Sequence, residues 1–278
     1  MTDQTAAPEP PVTESLPATS GPGPVAQLAI AAGILSVAAG VVVLILGFGS
    51  VPLVHWKSLI TLGRFILGGL LIVVGCGTLL PATRKYALGF IVGSGLSLAV
   101  IAWFNGYPGR TVIPGIVLVV AAAVAAGALF TDRKPTVALG PFAAIGIAAL
   151  VLLILGLVFV EIRFIVRHEV RDSLKPISEK PAASILLALS LVAAIVAVAA
   201  SDLRTAGSMY LGVAAAHFWS FTPIVALLKY AHYHPELGFW FLFAVPVVLA
   251  ISGGVMVVMG ATQAEMTAGP GVVSAPTP

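Results

Sequence analysis

The sequence predicts an all-α fold, a polytopic transmembrane bundle of about eight spans. Three observations predict it. Eight apolar stretches are joined by short polar connectors, and each is about 20 residues long, the length needed to cross a hydrocarbon core about 30 Å thick at about 1.5 Å rise per residue. Hydrophobic residues make up 59% of the chain and charged ones 9%, with a mean hydropathy of +1.08, outside the range of soluble domains. Glycine (29 residues) and proline (20) are abundant, which suits helices in lipid, where small residues let backbones approach and kinks are tolerated.

The predicted spans are Val25–Gly49, Leu59–Leu80, Tyr86–Phe104, Thr111–Phe130, Val137–Val160, Ala182–Ala200, Gly207–Lys229 and Gly238–Gly260. Turn chemistry marks several of their ends: Ser50-Val51-Pro52, Asn105-Gly106-Tyr107-Pro108-Gly109 and His234-Pro235-Glu236. Residues 1–24 hold no Lys or Arg and are rich in Pro, Thr, Ala and Glu. They lack the basic start of a cleavable signal peptide and have little apolar surface to bury, so a disordered tail is expected. Residues 261–278 read as a second such tail. With eight crossings both tails share one side.

Small residues give the packing expectations. Gly89 and Gly93 in the third span form a GxxxG, and Ala123 with Gly127 in the fourth a second small-xxx-small pair. The plainer reading is packing within the bundle; the alternative is an oligomer seam. Pro223 and Pro246 fall inside spans seven and eight and are expected to kink them. Cys76 is the single cysteine, so no intrachain disulfide or thiolate cluster is available, and it is expected as a small buried hydrophobe.

The two faces differ. Connectors one, three, five and seven carry His55, Trp56, Tyr107, His168, Tyr230, His232, Tyr233 and His234, whereas the opposite face has Tyr86 and Tyr210 near its edge. This aromatic face is expected to be the functional surface, with headgroup anchoring as the alternative. Its Lys and Arg number eight against five on the tail-bearing face (Arg84, Lys85, Arg133, Lys134 and Arg204). The positive-inside rule then puts the aromatic face in the cytoplasm. Leaving out residues 161–181 reverses the tally to three against five, so orientation stays open. The net charge of +3 and pI near 9.2 reside in connectors, which favours lipid headgroups over nucleic acid as the partner.

Three groups could carry chemistry. In the fifth connector, residues 161–181, Ile162, Val166, Val170 and Leu174 recur every four residues, and Arg163, Arg167, Arg171 and Lys175 do so one position later. On a helix these make adjacent apolar and basic stripes, able to lie at the interface against anionic lipid. His232, His234 and Glu236 have metal-ligand chemistry, and on an extended segment the two imidazoles share a face. Arg64 and His217 lie inside spans, where an ionisable group is by default a functional hypothesis. Arg64 is close enough to its helix end to snorkel. His217 is deeper, with Ser220, Thr222 and the backbone freed by Pro223 nearby in sequence.

No dinucleotide fingerprint, phosphate-binding loop, zinc-protease helix or nucleophile elbow is present in the sequence, nor any paired acids within a span. The leading expectation is therefore a non-enzymatic, multi-pass protein of the cell membrane without a cofactor. It would serve as an accessory or scaffold of an envelope system, touching lipid and a membrane-protein partner or a second copy. The Ala-, Gly-, Val- and Pro-rich composition points to a bacterial source. The alternatives are a small-substrate or lipid transporter using His217, Arg64, Ser220 and Thr222, and an intramembrane metal-dependent enzyme using His232, His234 and Glu236.

Overall fold

A computed structural model describes residues 23–48, 58–104, 112–131, 140–159, 162–166, 169–174, 181–230, 234–235 and 237–268, with Arg64, Ser220, Thr222 and the three strands placed by backbone alone. Among the described residues it is a bundle of eight helices: α1 (Pro24–Phe48), α2 (Ser58–Gly77), α3 (Arg84–Phe104), α4 (Val112–Phe130), α5 (Pro141–Phe159), α6 (Pro181–Ala199), α7 (Leu203–Tyr230) and α8 (Leu237–Ala268). Three of them, α1, α5 and α6, open on proline, which lacks only an N–H that the first turn leaves unbonded anyway. Helix α7 opens behind Asp202, whose Oδ1 accepts the Thr205 backbone N–H at 2.8 Å as an N-cap.

Among the described residues, four stretches are long and apolar enough to cross a membrane: Pro24–Ile45, Ile113–Phe130, Pro141–Phe159 and Phe243–Thr262. Large apolar side chains such as Ile34, Val73, Ile116, Phe159 and Val258 point outward, while Ala29, Ala32, Ala39, Ala121 and Ala125 fill the interior. That arrangement suits lipid, where association is driven by close packing of small residues rather than by escape from water. The chain is a multi-pass helical membrane protein.

Helix directions alternate along the chain wherever contacts reveal them. Gly33 of α1 lies against Gly75 of α2 and Gly40 against Gly68, so the two run antiparallel; a Cβ on either partner would come within 2.6–2.9 Å of the other's carbonyl oxygen. Ser36 ties the same seam by donating to the Leu71 carbonyl at 2.8 Å. Gly207 of α7 meets Gly253 of α8 just as closely, with α8 reversed so that Gly260 reaches Arg204. By contrast α3 and α7 run parallel, Gly89 beside Thr205 and Gly93 beside Met209. Parallel odd-numbered helices and antiparallel consecutive ones are what an up-and-down path demands. The GxxxG of α3 is thus used inside the bundle, as its plainer reading expects.

Three expectations are corrected. The fifth connector is not an amphipathic helix: β1 (Ile162–Val166) and β2 (Glu169–Leu174) form an antiparallel hairpin, with Ile162 opposite Leu174 and Val166 opposite Glu169. A repeat of four is also a multiple of the strand's two, and Ile-Arg-Phe-Ile-Val is rich in β-branched and aromatic residues. A third strand, β3 (His234–Pro235), pairs with β1 and joins connectors five and seven in one small sheet. Cys76 is exposed on the outer surface of α2 rather than buried. Helix α8, which contains Pro246, ends at Ala268, taking in the start of the expected tail. The tail at 1–22 and residues 269–278 lie outside the described residues.

Candidate functional site

Helix α7 borders α2, α3, α5, α6 and α8, so its side chains are the natural place to look for interior chemistry. Tyr210 is fully buried and donates its hydroxyl to the Ala143 carbonyl of α5 at 2.9 Å. Its ring fills the space above Gly146, where a Cβ would meet Tyr210 Cζ at 2.5 Å. His217 follows seven residues later, two helical turns or about 10 Å deeper on nearly the same face. Its exposure is 1%, so the imidazole is enclosed by the bundle rather than open to the surface.

The other members of the expected substrate path are placed by their backbone alone. Ser220 and Thr222 lie on α7 beyond His217, and Arg64 lies on α2, a helix in contact with α7. Their side chains lie outside the described residues, as do Arg167, Lys175, His232 and Glu236. Arg163 falls on β1 and Arg171 on β2, where the register slips beside Phe164 and Ile165 and leaves Arg171 without an opposite residue. The stripe expected on a helix does not apply to Arg163 and Arg171, which the described residues place on strands. His234 sits on extended backbone opposite Ile165, the conformation that would let a residue two positions away share its face. Among the described residues no three His, Cys, Asp or Glu side chains form a group fit for a metal.

A second polar centre, at the tail-bearing end, was not foreseen. Arg204, at the start of α7, places its guanidinium 5.5 Å from the centre of the Tyr86 ring and donates to the Tyr86 hydroxyl. Its stem lies where a side chain on Gly260 of α8 would otherwise be. Nearby, Arg84 Nε donates to the Thr78 carbonyl at 3.0 Å, covering the last turn of α2. Thr83 closes the same turn, donating to the Gly77 carbonyl at 2.8 Å. Arg204 Nε and Thr205 Oγ1 are buried here without hydrogen-bond partners among the described residues. The available signal was positional: Tyr86 and Arg204 each stand at the start of an odd-numbered helix, which puts both on one face.

The fold and these two centres define a multi-pass helical membrane protein with a closely packed interior. The chain matches no protein-family model, no curated protein and no solved structure.

Proposed function

We propose that the chain is a non-enzymatic integral protein of a bacterial plasma membrane, serving as an accessory or scaffold of an envelope system. The observation that supports this reading is the way the interior is used. Helix backbones touch at Gly33–Gly75, Gly40–Gly68 and Gly207–Gly253, Ser36 bonds across to the Leu71 carbonyl of α2, and Ser94 and Ser208 are turned back onto carbonyls of their own helices, Ile91 and Thr205. Hydroxyls committed to backbone carbonyls in this way are not free to handle a substrate. What remains outward is an apolar surface that lipid or another membrane protein can cover.

The test is purification of the tagged full chain from its native membrane in mild detergent. A second membrane protein in fixed proportion is the expected result; recovery of the chain only as itself overturns the reading. A transporter is the second reading, favoured by one observation: an ionisable side chain, His217, enclosed at mid-depth in the central helix. Its signature is solute flux in proteoliposomes that His217→Leu abolishes while the helical content is kept.

A further inference from the structure

We propose that Arg204 and Tyr86 form a phosphate-binding site at the headgroup level of the tail-bearing face, occupied by an anionic phospholipid. The inference is independent of the scaffold reading.

The argument starts with position. Arg204 is in the first turn of α7 and Tyr86 in the first turn of α3, and these two helices lie side by side in parallel. Their N-termini, each carrying the positive end of a helix dipole, therefore converge. Helix α8 passes the same level at Gly260, near the end of its apolar stretch Phe243–Thr262. In a bilayer, the ends of spanning helices are where lipid phosphates lie, and where Tyr and Arg anchor. Arg84 and Lys85 add positive charge to the same end of α3.

Next comes the state of the guanidinium. Arginine offers five N–H donors in a fixed planar fork. Here the guanidinium lies 5.5 Å from the centre of the Tyr86 ring, and the Tyr86 hydroxyl takes one donor. Among the described residues Arg204 bonds to no carboxylate; the nearest in sequence, Asp202, caps the helix through Thr205 N–H. Arg204 remains partly exposed, so its outer donors can be reached from the headgroup layer, whereas Nε on its inner side is enclosed, with no hydrogen-bond partner among the described residues. An arginine tethered to a tyrosine hydroxyl, with outer donors to spare beside two helix N-termini, suits a tetrahedral oxyanion, which can accept several N–H groups at once. A lipid phosphate meets this site without leaving the membrane, whereas a soluble anion would have to be recruited from water.

The site can be tested on the full chain in detergent by native mass spectrometry with phosphatidylglycerol, phosphatidylcholine or inorganic phosphate added. Phosphatidylglycerol should be retained preferentially, with apparent affinity about tenfold weaker in Arg204→Gln and about threefold weaker in Arg204→Lys, which keeps the charge and loses the fork. Equal retention by wild type and Arg204→Gln overturns the proposal. Arg204-dependent retention of inorganic phosphate without any of the lipid overturns the lipid assignment. Should Arg204→Gln lose its helical content, the wild-type chain decides: photoactivatable phosphatidylglycerol should label the segments around Tyr86 and Arg204. Labelling spread evenly around the bundle counts against the site.

Discussion

Two small-residue motifs of the same kind meet opposite fates. On α3, Gly89 and Gly93 are sealed against α7, and a Cβ on Gly89 would come within 2.7 Å of the Thr205 carbonyl oxygen. On α4, Ala123 and Gly127 face outward, and nothing lies within 4 Å of where a Gly127 Cβ would be. The motif states only that a backbone can be approached. Whether it is approached depends on which helix arrives, and for α3 that partner comes from far along the chain.

The contrast can be broken most directly at Gly93. Its Cβ would fall on the Met209 backbone, with the carbonyl carbon at 2.8 Å and Cα at 2.9 Å, atoms that cannot rotate away. Gly93→Leu should cost about 3 kcal/mol or more, read as loss of the folded fraction in thermal denaturation in detergent. Wild-type stability in that variant would mean α3 and α7 are not in contact. At Gly260 the obstacle is the Arg204 stem, which can move. Gly260→Ala should cost only about 1 kcal/mol by the same measurement, together with weaker phosphatidylglycerol retention. Tyr210→Phe removes the hydrogen bond to Ala143 but not the ring, for a loss of about 1 kcal/mol. Gly127→Ala should be neutral or stabilising by about 0.5 kcal/mol through helix propensity. If the α4 face is an oligomer seam, Gly127→Leu should shift the native-gel mobility of the full chain without lowering its melting temperature.

The helices were legible because length and apolarity are nearly sufficient in lipid. Alternation of faces was legible too, since consecutive short connectors leave no other path. The sheet was not, because Ile162, Val166, Val170 and Leu174 satisfy helix and strand alike and only pairing across the chain decides between them. Cys76 was misjudged for a related reason: in a membrane, an apolar residue gains little by facing inward, so hydrophobicity no longer reports burial. For the candidate sites, His217 could be singled out locally as an ionisable residue in an apolar run. Arg204 and Tyr86 could not, since each is ordinary at an interface and becomes a site only when α3 and α7 stand together.

The parallel seam between α3 and α7 also has a history in time. The ribosome finishes Gly89 and Gly93 long before it reaches Thr205 and Met209, and at about 5–20 residues per second the interval is on the order of ten seconds. During that wait the notch on α3 stands open in the lipid, so biogenesis must keep an early helix vacant for a late arrival.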